Sequence, residues 1–373
     1  MSRPLLLTVL LALAGCARPP QPALRKAAAW LWSRQEADGG WHSHTYGLLR
    51  SGQSLTPFVL EALLDVPEDV YPPQRANVGR ALAFIRAHIQ PTGSLGGSLG
   101  TADRDIPDYP NYATALAVSA LCRARHAGWQ MQIAPMVAYL RQQQFTEQNG
   151  WRPPDPAYGA WGMGGLRRTP PDTGHVDLSM TRYVLDALRA AGVAESDAAI
   201  ASARVFVERC QNFDPARPDD ADGGFFFSTT EADTNKAGQD RNHFRSYGTT
   251  TADGILALLA TGHPLTDPRV LAAQGWLSAH HRDAHRRDTD VPGFVGEAYQ
   301  RWPRGLMFYY AATSAKAFQG LKVDAGSAVP DALRRTQRGD GSWANAENLV
   351  KEDDPLIATP FAVRALVAAE GRR

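Results

Sequence analysis

The chain has 373 residues, 44% hydrophobic and 21% charged, and its 39 basic and 38 acidic side chains leave a formal net charge of +1. A chain of this length and apolarity can bury a sizeable core, and balanced charge without a long basic run excludes nucleic acid as an expected partner. The most basic stretch, His280-His281-Arg282-Asp283-Ala284-His285-Arg286-Arg287, reads as a solvated helix end; with no second cluster of ligands, neither a metal nor any other cofactor is expected.

At the N-terminus, Arg3 precedes an apolar run over 5–13 that is too short to span a bilayer. The run ends in Leu13-Ala14-Gly15-Cys16, which resembles the lipobox of bacterial lipoproteins. The resemblance implies that residues 1–15 are a signal peptide and that the Cys16 thiol, acylated after cleavage, holds the protein at a membrane surface. Ala17 rather than Asp follows the cysteine, which by resemblance to Gram-negative sorting implies an exported protein on the periplasmic face of the outer membrane. Residues 16–22 are Pro-rich and read as an extended tether, leaving 23–373 as the folded body.

From residue 23 onward one pattern recurs six times: a helix-period segment, a Gly-rich corner with an aromatic, a polar loop, and a second, nearly uncharged helix. The first segments are 23–35, 80–90, 133–144, 198–212, 269–281 and 329–337. The corners are Asp38-Gly39-Gly40-Trp41, Gly93-Ser94-Leu95-Gly96-Gly97, Asn149-Gly150-Trp151, Asp222-Gly223-Gly224-Phe225, Pro292-Gly293-Phe294 and Asp340-Gly341-Ser342-Trp343. The second segments are 56–64, 111–125, 177–192, 247–261, 306–321 and 360–369. Segment 23–35 carries Leu24, Ala27, Ala28 and Leu31 on one stripe and Arg25, Lys26, Ser33 and Arg34 elsewhere, as an outer helix does. Segment 113–122 is almost free of charge, and a helix apolar on all sides must be buried on all sides. Alternating the two types predicts an all-α, closed (α/α)6 toroid, with inner helices as a central barrel and outer helices around it. An open superhelical stack is the alternative, but it would expose one inner face.

Gln35-Glu-Ala-Asp38-Gly39-Gly40-Trp41 and Gln337-Arg-Gly-Asp340-Gly341-Ser342-Trp343 resemble the Q-x-x-D-G-x-W ("QW") repeats of terpenoid cyclases, squalene-hopene cyclases among them, which recur in weakened form in protein prenyltransferases. The resemblance covers roughly residues 23–369 and implies a single toroid whose Gln and Trp tie neighbouring repeats together. It further implies a small-molecule or lipid ligand, such as an isoprenoid, in the central cavity, and an isomerase or lyase activity. Protein prenyltransferases hold zinc with an Asp-x-Cys pair, which is absent, so a zinc-thiolate transferase is not expected.

In such a ring the long loops 42–55, 98–110, 152–176, 226–246, 282–304 and 344–359 gather at one rim, with the positive ends of the inner helices. Chemistry is expected there, and the opposite rim of short connections is expected to be structural. Cys122 and Cys210 fall in different repeats and towards opposite rims, so no disulfide is expected. His175-Val176-Asp177-Leu178-Ser179 stands where squalene-hopene cyclases have Asp-x-Asp-Asp-Thr, which implies Asp177, with His175, as a catalytic acid; only the central carboxylate is matched. On its own residues, Asp177 is equally a helix N-cap. Trp161, in the glycine-rich loop over 158–165, is a candidate rim residue for a ligand. Arg241, His243, Arg245 and Tyr247 before an inner helix suit an anionic group. Tyr109, Tyr112, Tyr309 and Tyr310 are candidate aromatic lining, which barrel packing explains equally well. Two other functions stay open: a non-catalytic binding protein of the cell envelope, and a glycan-processing barrel, which would need paired carboxylates among Asp177, Asp253 and Glu297.

Overall fold

A computed structural model describes residues 21–96, 109–216, 221–240, 243–284 and 290–370. The lipobox, Cys16 and the candidate Arg241 lie outside the described residues. The outer helices are α1 (Pro22–Ser33), α3 (Arg75–Ala87), α5 (Trp129–Gln143), α7 (Ala198–Arg209), α9 (Pro268–Ala284) and α12 (Ala328–Thr336). The inner helices are α2 (Leu55–Asp65), α4 (Pro110–Ala124), α6 (Leu178–Ala190), α8 (Gly248–Ala260), α11 (Met307–Leu321) and α13 (Pro355–Glu370), with a one-turn helix α10 (Trp302–Gly305) ahead of α11. A two-residue ribbon pairs β1 (Gln239–Asp240) antiparallel with β2 (His243–Phe244). Each inner helix packs on the next, and α13 returns to pack on α2, so the ring is closed as predicted.

Burial follows the two helix types. α1 buries Ala23, Leu24, Ala27, Ala28 and Leu31 and exposes Arg25 and Lys26, whereas α8 buries every residue from Gly248 to Leu258. Among the described residues no helix is long and apolar enough to cross a membrane. Three helices begin four or five residues before their predicted starts: α3 at Arg75, α5 at Trp129 and α13 at Pro355. Gly79, Pro135 and Pro360 look like helix breakers in the sequence, yet each sits inside its helix, Gly79 and Pro135 on an exposed face and Pro360 buried.

The corners bind the ring together. Gln35 Nε2 donates to the carbonyl of Gly39 in its own turn (2.9 Å) and to that of Asn77 in α3 (2.9 Å). Gln144 repeats this to Gly159 and Ala199 of α7, and Gln211 to Gly223 and Arg269 of α9. Gln337 donates to Gly341 (2.9 Å) and to Ala23 of α1 (2.9 Å), which joins the last repeat to the first. The indoles of Trp41, Trp161 and Trp343 donate to the carbonyls of Leu31, Leu140 and Leu333 near the ends of the preceding outer helices. Five inner helices then place a threonine, Thr56, Thr114, Thr181, Thr251 or Thr359, to accept the N–H of the corner residue. The second repeat departs, since Gln90 donates to His88 within its own turn.

The third corner is Gly159-Ala160-Trp161 and not the predicted Asn149-Gly150-Trp151. Residues 145–158 are inserted between Gln144 and its corner glycine, and Asn149-Gly150-Trp151 forms a separate tight turn within the insertion. There Trp151 packs on Phe145 and donates to the Arg168 carbonyl (3.1 Å). The corner position demands glycine: Gly159 has φ +88°, and a Cβ on it would lie 1.9 Å from the Ser202 carbonyl oxygen.

Two paired substitutions test this. Gly159→Ala is expected to destabilise by roughly 2–4 kcal/mol, whereas Gly79→Ala, with nothing near its Cβ position, is expected to stabilise by about 0.5–1 kcal/mol. Gln337→Ala leaves two carbonyls without their donor and is expected to cost about 1–3 kcal/mol, whereas Gln90→Ala is expected to be nearly neutral. Urea midpoints of the four variants decide; equal effects of Gln337→Ala and Gln90→Ala would contradict closure through the corner.

Candidate functional site

At the long-loop rim the structure gathers His175, Asp177 and Glu231. Asp177 is 2% exposed and caps α6, its Oδ1 accepting the Met180 N–H at 2.7 Å. Its Oδ2 lies 3.0 Å from His175 Nε2, and His175 Nδ1 lies 2.9 Å from Glu231 Oε2, so both imidazole nitrogens are engaged. Burial works against the imidazolium, but the hydrogen bonds and charges of Asp177 and Glu231 outweigh it and hold the pKa above the ordinary 6.5. Lys236 sits nearby with its ammonium 3.4 Å from the centroid of Phe227, and burial draws its pKa down to about 8 against the opposing charge of Asp177. This cluster ties the loop before α6 to the loop before α8.

One level down, a polar knot crosses the barrel. Asp253 of α8 is fully buried and accepts from Ser179 (2.6 Å), Arg182 Nε (3.1 Å), Tyr309 (2.5 Å) and Thr313 (2.7 Å). Its donors come from α6 and α11, so three inner helices meet on one carboxylate. Arg182 also reaches Asp186 (3.0 Å), which Lys316 approaches at 2.7 Å. Burial alone would raise the Asp186 carboxyl, but Lys316 and Arg182 hold it below the usual carboxylate range.

Below the knot lies the axial hollow, of about 290 Å3. Its wall carries Glu61 and Asp65 of α2, Arg123 of α4, Arg182 and Tyr183 of α6, Tyr309 and Lys316 of α11, and Phe361 and Arg364 of α13. A vestibule of about 480 Å3 adjoins it, sharing Glu61, Arg123 and Lys316 and adding Asp186. Glu61, Asp65, Arg123, Asp186 and Lys316 lie in the C-terminal halves of their helices, whereas Arg182, Tyr183 and Tyr309 stand in the first two turns of theirs, so the hollow runs down the axis to open on the rim of short connections. The rim of short connections, expected to be structural, therefore carries an opening: the knot closes the axis from above, and the short connections leave the lower end uncovered.

The sequence-derived candidates disperse. Tyr309 enters the knot and Tyr112 packs on Tyr183, with burial and then Asp177 holding the Tyr112 hydroxyl well above its ordinary pKa. Tyr109 packs on Tyr112. Tyr247 is buried against Phe294 at the start of α8. Tyr310 points to the outer layer, where its hydroxyl meets His281 Nδ1 at 2.8 Å. Trp161 is wholly buried as a corner residue and reaches no ligand space. His243 and Arg245 line a separate shallow hollow of about 190 Å3, in which Arg245 pairs with Asp240 (3.3 Å). Glu297 lies in an exposed turn of another loop. Cys122 and Cys210 are both unpaired and buried, and among the described residues no group of three His, Cys, Asp or Glu is placed to hold a metal. Sequence reasoning missed Glu61, Arg182, Asp186, Lys316 and Arg364; the signal was a few charges inside otherwise apolar helices, with Arg182 and Asp186 four residues apart.

No family model matches the chain, and no curated protein matches it. Solved structures do. A type II terpene cyclase, MstE, from Scytonema in complex with the substrate geranylgeranyl dihydroxybenzoate is 14% identical, with a TM-score of 0.58 over 94% of this chain and 97% of that one. A protein from Actinoplanes is 17% identical, with a TM-score of 0.54 over 93% and 98%. A glycoside hydrolase family 76 mannosidase from Bacteroides thetaiotaomicron is 10% identical, with a TM-score of 0.51 over 93% and 96%. Likenesses at this identity establish the fold, a terpenoid-cyclase-like α/α toroid, as the sequence predicts.

Two buried groups predict how stability follows pH. Glu352 accepts the N–H groups of Phe308 and Tyr309 at the start of α11, and burial pushes its carboxyl up from 4.5 to about 7. Between pH 4.5 and 7 it keeps a proton that the unfolded chain has lost, so its contribution is full below 4.5 and falls up to 7. The His175 contribution is full below 6.5 and is lost as pH rises through its raised pKa. Urea midpoints are therefore expected to fall from about pH 4.5 upward; Glu352→Gln removes the lower limb and His175→Gln the upper. A wild-type profile flat across this range would contradict both assignments.

Proposed function

We propose that the toroid binds a compact polar ligand in its axial hollow, reached from the rim of short connections, as a non-catalytic binding protein of the cell envelope. The observation that carries this reading is the wall itself: five of the six inner helices contribute to one hollow, and they contribute charged side chains. Three separate stretches of sequence do not bring Glu61, Arg182 and Arg364 to one largely buried wall for packing, because hydrophobic residues of similar volume would stabilise a barrel as well or better; Arg123 and Lys316 stand exposed at its mouth.

The isoprenoid reading fits less well. It needs an apolar tunnel with Asp177 pointing into it, whereas Asp177 is occupied as a cap and as the partner of His175. An apolar chain in the hollow would strip water from the charged wall without returning hydrogen bonds. MstE is seen with geranylgeranyl dihydroxybenzoate, but the fold it shares with this chain hosts other chemistries. The glycan-processing reading needs two free carboxylates at glycosidase spacing. Asp253 is saturated by four donors, and Glu297 lies on another loop.

The lipobox-like segment supports export and anchoring through Cys16, with the periplasmic face of the outer membrane as the proposed location. Cys16→Ser is expected to abolish palmitate labelling and move the protein from the detergent to the aqueous phase; labelling that survives the substitution would refute the anchor. For the hollow, the exposed Gln319 lines its opening, so Gln319→Trp narrows it with little cost to folding. Because Gln319 also borders a separate hollow of about 800 Å3 between α11 and α12, the exposed Ser327, which lines only that second hollow, supplies the control Ser327→Trp. A loss of binding is assigned to the axial hollow where Ser327→Trp retains it. A panel of small polar compounds is expected to raise the wild-type melting temperature and not that of Gln319→Trp. Equal shifts in both would place the ligand elsewhere.

A further inference from the structure

The wall of the axial hollow is charge-balanced and already paired. Arg364 lies 2.7 Å from Glu61, Arg182 lies 3.1 Å from Asp253 and 3.0 Å from Asp186, Lys316 lies 2.7 Å from Asp186, and Arg123 pairs with Asp65. The four cations face four acids, so the hollow holds no excess charge to attract a phosphate, a diphosphate or a carboxylate. A zwitterion fares no better, since each of its ends would have to break an existing pair to gain one. A hydroxyl group is different. It accepts from a guanidinium N–H and donates to a free lone pair of the neighbouring carboxylate at once, leaving the pair intact.

The remaining wall is aromatic. Tyr183, Tyr309 and Phe361 line the hollow beside the ion pairs. Tyr309 spends its hydroxyl on Asp253, but the Tyr183 hydroxyl makes no hydrogen bond among the described residues, and Arg182 stacks 3.7 Å over its ring. At about 290 Å3, the hollow holds the volume of roughly ten water molecules at ~30 Å3 each. The vestibule outside it leaves room for a ligand to continue outward.

We infer that the ligand is a neutral polyhydroxylated ring, a sugar or cyclic polyol, whose hydroxyls bridge the Arg364–Glu61 and Lys316–Asp186 pairs and whose apolar face lies on Tyr183 and Phe361. This rests on the axial hollow being the binding site. Glu61 is then the specificity-determining residue, because it cancels the charge of Arg364 without removing that arginine's donors. Removing the acid alone turns a site for neutral hydroxyls into one for an anion.

Calorimetry on the full chain tests this with a matched set of rings: glucose, mannose, N-acetylglucosamine and inositol against glucuronate, glucose 6-phosphate and glucosamine, with geranylgeraniol as the apolar probe. At least one neutral ring is expected to bind about tenfold tighter than its charged counterparts, a 1.4 kcal/mol preference. Glu61→Gln is expected to bring the glucuronate affinity level with, or above, that of the neutral ring. Tyr183→Phe is expected to weaken the neutral ring by about 2–10-fold without changing the order, the range of one hydrogen bond. A charged ring or geranylgeraniol binding tightest to wild type, and lost in Gln319→Trp, would overturn the ligand class and leave the site standing. Binding that Gln319→Trp does not affect would overturn the site as well. Absence of binding by all four neutral rings at millimolar concentration would overturn the inference, and an unchanged preference in Glu61→Gln would remove Glu61 from it.

Discussion

The fold depends on one bond repeated around a circle: a glutamine at the end of an outer helix, whose amide holds its own corner and the start of the next outer helix. Helix packing alone fixes how neighbours lean on each other, but not how many of them close a ring. The Gln337 amide reaches Ala23 across 314 positions and so ties the sixth repeat to the first. A carbonyl at a helix start normally accepts within its own helix, and an added side-chain donor there is available only if the corner brings it within about 3 Å. That requirement explains the glycine. The corner passes so close to the next outer helix that a single methyl group at Gly159 would lie 1.9 Å from a carbonyl oxygen, well inside contact distance. The tryptophan and threonine complete the same joint from the other side, linking each corner back to its own outer helix and down to its inner one.

Closure creates the second problem, the inside of the barrel. Six helices around an axis leave a channel that side chains must fill or line, and this chain does both. The upper half is filled by the Asp253 knot, in which every hydrogen-bonding site of a buried carboxylate meets a donor, as burying that charge requires. The lower half is lined instead. The knot matters for both, because Arg182 is its member and also the roof of the hollow. Changes in the hollow therefore reach the packing of α6, α8 and α11 through one guanidinium.

Much of this was legible in the sequence. The helix order, the alternation of outer and inner types and the closed six-fold ring follow from periodicity, because a nearly charge-free helix such as α4 has only one environment open to it. The outer joints at Gln35 and Gln337 were legible for a local reason: Gln, Asp, Gly and Trp stand within seven residues. At Gln144 the same joint is made with 145–158 looped out, and a tight turn carrying its own Gly and Trp stands in front of the true one, so spacing misleads. The site was less legible. Asp177 and His175 do meet, but as a cap and its partner. The residues of the hollow come from five helices, each contributing one or two charges that look, one helix at a time, like an imperfect apolar pattern. Only the ring brings them to one axis.

The placement of those charges also separates support from function. At the long-loop rim six helix N-termini converge, and acids are favourable there. Asp177, Glu352 and Asp354 accept N–H groups at the starts of α6, α11 and α13. They are used up in doing so and are not free to meet a ligand. At the opposite rim six C-termini converge, and their partial negative charge favours Arg123 in the last turn of α4. Lys316 and Arg364 stand further back in α11 and α13, where they face Asp186 and Glu61. Glu61 and Asp65 are not explained by the helices. They stand in the last turns of α2, where the dipole opposes them, and burial pushes the Asp65 carboxyl up against the pull of Arg364 and Arg123. A barrel has no structural need for two acids at its negative end. Their presence makes the cation ring neutral, and a neutral, hydrogen-bonding wall around a compact space is what separates a site for hydroxyl groups from one for anions.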